Sequence, residues 1–434
     1  MDRNDVSPLT RLLQRAVNLE PRETAAVITS FFLFFCVFAG YFAVRPVRET
    51  VGTILGAERT ANLWSVTWIA SLAIVPAYGW LCGRFRRAVF LPWIYGFVAV
   101  ALLTCAFVLR ANEGSLAAGR FFYVFISVLN LFIVSVFWSF LVELFSPSQA
   151  RRLFGTIAAG GTAGALTGPI VTDLIVGRIG NAGILFLGAG LFFVAILLQQ
   201  ALLRIRAGHA WQSSASEVRE DRPLGGNPFA GFRQVLRSPY LLGIALFVFF
   251  LASVSTFLYF AQLRIVADTF ADTAQRTRVF SRIDYTVQSL TIILQLLFTG
   301  RLASRFGVGV LLTAVPVTMV GGFLLLSAFH VFAVLALVMI VRRVGEYAFV
   351  RPGREMLWSA VTTEEKYKAK NIIDVPVYRG ADAFSAQVDK ALAAGGLSPS
   401  AVAVIGAGVA GAWAVNGFLL GRTRRKAELV EERA

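Results

Sequence analysis

The sequence predicts an all-α membrane protein of twelve transmembrane helices in two pseudo-symmetric six-helix bundles, and three observations carry that expectation. Of 434 residues, 57% are hydrophobic and only 15% charged, with a mean hydropathy of +0.68. Lipid is the natural solvent for such a chain. The apolar residues gather into runs of about 20, each long enough to cross a ~30 Å hydrocarbon core as a helix. Two polar motifs recur near half the chain length, as internal duplication would leave them.

The runs lie near 24–44, 60–82, 88–110, 120–142, 155–177, 181–203, 240–262, 279–299, 308–329, 330–350, 372–394 and 400–421. An even number of spans puts both termini on one side. The segments on that side (1–23, 83–87, 146–154, 204–239, 300–307, 351–370 and 422–434) hold 27 of the 41 Lys and Arg residues, against 14 in all the rest of the chain. Arg342, Arg343 and Arg379 fall inside spans. Basic loops stay in the cytoplasm, so both termini are expected there, in a bacterial inner membrane. The same placement accounts for most of the net charge of +16 without any nucleic-acid partner.

The expected organisation is an amphipathic N-terminal segment (1–23), a six-helix bundle (24–203), a central cytoplasmic loop (204–239), a second bundle (240–421) and a basic tail (422–434). In the first segment, Ser7-Pro8 reads as a helix start, and Leu9, Leu12, Leu13, Ala16 and Val17 share a face suited to the membrane surface. The central loop is the longest polar stretch and carries six arginines. No cleaved signal peptide is expected, because the first run is long and is followed by Arg45-Pro46-Val47-Arg48 instead of small residues. Cys36, Cys82 and Cys105 are scattered through apolar runs, and His209 and His330 are the only histidines, so neither a disulfide framework nor a metalloenzyme is indicated. No cofactor is expected. The sequence lacks GxxxxGK[ST], which argues against ATP-driven pumping.

The duplication rests on Gly79-Trp-Leu-Cys-Gly83-Arg84-Phe85-Arg86-Arg87 against Gly300-Arg-Leu-Ala-Ser304-Arg305-Phe306-Gly307, offset by 221, and on Gln149-Ala-Arg-Arg-Leu-Phe-Gly155 against Glu365-Lys-Tyr-Lys-Ala-Lys-Asn371, offset by 216. The first pair resembles the Gly-x-x-x-Asp-Arg-x-Gly loop motif of the major facilitator superfamily, with Gly83 and Ser304 where that family has Asp. Gly155, Gly164, Gly168 and Pro169 are similar to the glycine-rich exchanger signature of the same superfamily, with Thr172-Asp173 replacing the glycines that would follow. Small residues at this spacing let two helices approach closely, and Pro169 bends the helix.

Ionisable residues at membrane depth cost several kcal/mol unless they face a cavity or a partner, so they are the functional candidates. Tyr41, Arg45 and Arg48 share a face at the end of the first span, followed by Glu49. Tyr259 and Gln262 precede Arg264 on the seventh. Arg282, Tyr285, Gln288 and Gln295 form one arc of the eighth, with Asp284 off it. The tenth offers Arg342, Arg343 and Glu346, and the eleventh Asp374, Tyr378, Arg379 and Asp382. Arg342 with Glu346 and Arg379 with Asp382 are spaced to neutralise one another within a helix. Arg45, Arg48, Arg264 and Arg282 are the arginines expected to be unpaired, because they come from spans 1, 7 and 8, which line the cavity in the superfamily that the motifs resemble, and guanidinium forks bind phosphate or carboxylate well. An anionic, ring-bearing solute is the hypothesis. Glu49, Glu143, Asp284, Arg342, Glu346, Asp374 and Asp382 are candidates for coupling or gating.

Tyr41-Phe-Ala-Val-Arg45-Pro46-Val47-Arg48-Glu49-Thr50, Phe137-Trp138-Ser139-Phe140, Arg354-Glu355-Met-Leu-Trp-Ser359, Glu364-Glu-Lys-Tyr-Lys-Ala-Lys-Asn371 and Asp374-Val-Pro-Val-Tyr378-Arg379-Gly380-Ala381-Asp382 resemble segments of the ATP/ADP translocase family and its bacterial relatives. That resemblance implies nucleotide exchange by alternating access without hydrolysis. It also implies a role in substrate binding for Arg45, at the position of the Lys in the family's Lys-Pro-Leu-Arg-Asp type motif, with Arg48-Glu49 as its Arg-Asp. Proton-coupled transport or export of another organic anion, and a non-transporting nucleotide sensor or scaffold, stay open. A monomer surrounded by lipid is expected in each case.

Overall fold

The computed structural model describes residues 20, 22–85, 87–112, 115–208, 230–358, 361 and 369–431, and among these it contains helices and no strands. Most of the expected amphipathic segment 1–23, most of the central loop and the stretch 362–368 lie outside the described residues. In chain order the helices are α1 (Thr24–Leu55), α2 (Ala57–Arg84), α3 (Arg87–Ala111), α4 (Leu116–Leu144), α5 (Pro147–Gly208), α6 (Ala230–Arg237), α7 (Pro239–Thr269), α8 (Thr273–Leu294), α9 (Gly300–Ala328), α10 (Phe332–Gly345), α11 (Arg351–Leu357), α12 (Tyr378–Ala394) and α13 (Pro399–Glu431). The twelve apolar runs lie on helical backbone apart from Phe329, His330 and Val331, which separate the ninth and tenth.

Seven described helices are long and apolar enough to cross a membrane, or eight if the bent pair within α4 is one span. The difference from twelve has physical causes. Helix α5 counts once, yet its 62 residues would extend about 93 Å if straight, roughly three times the hydrocarbon thickness. Gly180, at φ 68° and ψ 178°, breaks it into arms 147–179 and 181–208. Helices α8, α10 and α12 fall short because they carry the charged residues or are interrupted by π-turns, at Gln295–Thr299 after α8, Glu346–Val350 after α10 and Ile373–Val377 before α12.

The chain forms two compact units. The first comprises Met1–Thr50, Val75–Pro223 and Thr273–Tyr285, and the second Val51–Ile74, Leu224–Asp272 and Thr286–Ala434. Each therefore holds a segment from the opposite half of the sequence. In the first unit, the start of α8 is tied to α1 and α5 by a hydroxyl chain: the Thr50 and Thr277 hydroxyls lie 2.6 Å apart, and Thr277 donates to Asn181 Oδ1 at 2.6 Å. In the second, the start of α2 is held by α12. Gln387 Nε2 donates to Ala61 O and Ser65 Oγ, both at 3.1 Å, and Lys390 pairs with Glu58 at 3.3 Å. Trp64 packs on Tyr259 and Phe260 of α7.

The core of the second unit is built by α7, α9, α10 and α13 around Phe247, Phe323 and Trp413. In the first unit the decisive packing is α1 against α5. A Cβ on Gly164 would collide with the backbone at Phe35 O, and one on Gly168 would sit 2.7 Å from Ala39 O and 2.8 Å from Ala43 N. A Cβ on Gly160 would likewise collide with the backbone at Phe31 O, and backbone cannot move aside as a side chain can, so these three glycines set the helix separation. Gly155 corrects the sequence reading, since nothing lies within 4 Å of its Cβ position. It precedes the crossing. Pro169 is buried beside the contact.

Replacing Gly168 by Val is therefore expected to cost about 1–3 kcal/mol through overpacking, while Gly155→Ala leaves stability unchanged or slightly raised. Thermal unfolding of the purified variants in detergent checks this, and equal shifts for the two would contradict the crossing geometry.

Candidate functional site

The first cluster surrounds a proline within α1. Pro46 lies inside α1 and removes one backbone donor, so the carbonyl four residues earlier loses its helical partner. Neighbouring hydroxyls serve the carbonyls of this turn: Thr172 Oγ1 donates to Ala43 O at 3.0 Å, and Thr50 Oγ1 donates to Pro46 O at 3.2 Å. Thr172 stands where the exchanger-type glycine pattern lapses, and its hydroxyl gives that departure a purpose.

Around this proline, Arg48 Nη2 donates to Glu49 Oε1 at 2.6 Å and Nη1 to Ser127 Oγ at 3.1 Å. Ser127 in turn donates to Tyr123 O at 2.7 Å, and the Tyr123 ring lies 5.2 Å from the Arg48 guanidinium carbon. Arg45 Nη1 is 3.6 Å from Asp284 Oδ1, and its Nε is 4.0 Å from Glu49 Oε1. Two guanidiniums thus face two carboxylates. Tyr41 is buried, edge-on to Phe42. One turn away, Asp173 of α5 accepts from Arg282 Nε at 3.2 Å and from the Tyr285 hydroxyl at 3.4 Å, with Arg278 Nε at 3.6 Å. Here one carboxylate serves two guanidiniums.

In the second unit, α7 and α12 are joined by polar side chains inside an otherwise apolar contact. Ser385 Oγ donates to Ser253 Oγ at 2.8 Å, Thr256 Oγ1 to Asp382 Oδ1 at 3.2 Å, and Arg264 grips both oxygens of the buried Asp389. Arg379 pairs with Asp382 at 3.3 Å, and Arg342 with Glu346 at 2.9 Å, as their i, i+3 and i, i+4 spacings predict. Arg351 reaches the same Glu346 at 3.0 Å, and Arg343 is buried on α10. The π-turn at Ile373–Val377 shifts the phase of the eleventh span, so Asp374 departs from the expected stripe and pairs with Arg354 at 3.3 Å. Tyr259 is buried against Trp64, Gln288 is half-buried, and Glu143 is exposed with its carbonyl accepting from Arg206.

One expectation is corrected outright. Arg45, Arg48, Arg264 and Arg282 all face carboxylates. Arg45 meets Glu49 at i, i+4 as well as Asp284 of another helix, Arg48 meets its sequence neighbour, and Arg264 and Arg282 meet carboxylates of other helices, which spacing within one helix does not reveal. Asp389, Asp173 acting on α8, Arg351, Ser127 and Tyr123 were the residues missed. Asp389 lies seven residues after Asp382, two turns along the same helix, and extending that stripe would have found it.

Residues 30–345, more than half of the chain, match the Major Facilitator Superfamily. The chain belongs to that family. It is accordingly a multi-pass integral membrane protein with a transporter fold. No curated protein matches the sequence. Among solved structures, the nucleoside transporter NupG is 17% identical with a TM-score of 0.63, over 92% of this chain and 99% of that one. A bacterial homologue of the iron transporter ferroportin, in an inward-facing state, is 13% identical with a TM-score of 0.66, over 92% and 98%. The POT family transporter PepTSo is 11% identical with a TM-score of 0.63, over 93% and 98%. At these identities the likeness to other major facilitator structures concerns the fold.

Among the intramembrane pairs of this major facilitator protein, Arg264 and Asp389 are the most clearly structural, because the carboxylate is 1% exposed. Removing one partner of a buried pair typically costs about 3–5 kcal/mol, so Arg264→Ala should lower the melting temperature sharply and Arg264→Ala/Asp389→Ala should recover part of the loss. A double-mutant cycle in detergent measures the coupling. No recovery would mean that Arg264 acts elsewhere.

Proposed function

We propose that the protein is a secondary transporter that exchanges a nucleotide, or a related phosphorylated anion, by alternating access of two six-helix bundles. The observation that carries the reading is the sharing of carboxylates. Glu49 serves Arg45 and Arg48, Asp173 serves Arg278 and Arg282, and Glu346 serves Arg342 and Arg351. Of these, Arg282 and Arg351 are more than half exposed beside a carboxylate that each shares, and phosphate fits the outward edge of such a fork. The side chain of Arg282 is 59% exposed, and Arg45 and Arg48 are partly so.

The motif around Arg45 supports the solute class, since it resembles the ATP/ADP translocase segment. Tyr41, Tyr259, Tyr285, Gln288 and Arg379 complete the candidate substrate contacts, with Arg264 reassigned to helix packing. Glu49 and Asp284 are the carboxylates that a phosphate would displace from Arg45, which makes their pairs suited to opening and closing. Binding energy for the solute then offsets the cost of breaking those pairs.

Proteoliposomes loaded with ADP should take up labelled ATP, and empty vesicles should not. Arg45→Gln is expected to lower uptake at least tenfold, and Arg45→Gln/Asp284→Asn, which leaves no carboxylate stranded at position 284, should keep the apo melting temperature within a few degrees of the parent. Absence of uptake by the unaltered protein for every nucleotide tried would overturn the reading, and uptake driven by a pH gradient without internal nucleotide would replace exchange by proton coupling.

A further inference from the structure

Arg351 is absent from the residues that sequence spacing singles out, and its surroundings are unlike those of the other arginines. It follows the π-turn Glu346–Val350 and opens α11. A π-turn has about 4.4 residues per turn, so residues five apart come to the same side. Arg351 consequently lies against Glu346, donating from Nε at 3.2 Å and from Nη2 at 3.0 Å to the single oxygen Oε1. The other oxygen, Oε2, accepts from Arg342 Nη1 at 2.9 Å. The guanidinium carbon of Arg351 sits 4.4 Å from the centre of the Tyr347 ring. The π-turn itself is held by Gln295 Nε2, which donates to Tyr347 O at 3.0 Å.

Exposure separates the three charged groups. The Arg342 and Glu346 side chains are 7% and 5% exposed, whereas Arg351 is 54% exposed. Arg342 and Glu346 alone make a neutral buried pair. Arg351 adds a positive charge that the triad does not balance, on a fork already fixed on one edge by Glu346 and on one face by Tyr347. Among the described residues Glu346 is its hydrogen-bonding partner, which leaves Nη1 and one N–H of Nη2 available. A guanidinium immobilised in this way loses little further freedom when an anion docks.

We propose that Arg351 is a phosphate-binding residue of the second unit, contacting the phosphate chain of the solute through the open edge of its guanidinium, with Glu346 and Tyr347 as positioning residues. The inference rests on the phosphorylated-solute reading above.

The architecture also makes the test clean. Arg351→Gln leaves Glu346 paired with Arg342, so the fold should survive without a stranded buried carboxylate. Purified protein, Arg351→Gln and Arg351→Lys are compared by ligand-dependent melting shift and by labelled-ATP binding, with ATP, pyrophosphate and adenosine as probes. The expected result is an apo melting temperature for Arg351→Gln within a few degrees of the parent, at least tenfold weaker binding of ATP and pyrophosphate, and unchanged response to adenosine. Arg351→Lys should fall between, since it keeps the charge and loses the fork. Unchanged ATP and pyrophosphate affinity in Arg351→Gln, with the parent binding both, overturns the role of Arg351 alone. Equal weakening for adenosine overturns it too, because a general distortion would then be the cause. Failure of the unaltered protein to bind any of the three overturns the phosphorylated-solute reading on which the inference rests.

Discussion

A guanidinium buried at membrane depth needs a polar partner, most often a carboxylate here, and much of the polar structure of this protein follows from that constraint. The cost of an unpaired intramembrane charge is several kcal/mol, comparable with the total stability margin of a typical domain. Arg45, Arg48, Arg264, Arg282, Arg342 and Arg379 all meet carboxylates, and several of these contacts join different helices. Charge pairing therefore acts here as a positional restraint. Asp284 of α8 is held by Arg45 of α1, and Asp389 of α12 by Arg264 of α7.

The irregular backbone is a second expression of the same demand. Two of the three π-turns, and Pro46 within α1, occur where the helices carry ionisable groups. Such breaks leave backbone carbonyls that lipid could not satisfy, and side-chain donors gather at them, Gln295 on Tyr347 O within a π-turn and Thr172 on Ala43 O beside Pro46. In return the wider turn changes which residues share a face. Asp374 is brought to Arg354 and away from the Asp382 stripe, while Arg351 is brought to Glu346.

These facts explain what could and could not be read in advance. Apolar run length is a local property, so the positions of the helices followed directly from it. Pairs within one turn, Arg342 with Glu346 and Arg379 with Asp382, followed from the α-helical period. Arg45 with Asp284 is separated by most of the chain, and nothing local to either residue announces the other. The π-turns defeat a fixed period of 3.6, because one added residue rotates everything beyond it by about 100°. Gly155 shows the opposite error. It belongs to a recognisable pattern, yet close helix contact begins further along, where Gly160, Gly164 and Gly168 meet α1.

Pairing alone would give a rigid membrane protein, and a transporter must also exchange partners. The distinction lies in how deeply each pair is sealed. Asp389 is almost wholly buried and is gripped through both oxygens, so separating it from Arg264 would strand a charge in a medium that cannot solvate it. Asp173 differs, because Arg282 on its outer side is more than half exposed and water can replace either partner at little cost. Glu346 combines the two regimes in one carboxylate, with a sealed contact to Arg342 and an open one to Arg351. The sealed contact preserves the helix turn while the open one remains exchangeable. A phosphate competing for Arg351 would therefore meet a group already in place, and the buried half of the triad would keep its charge balance as the solute arrived and left.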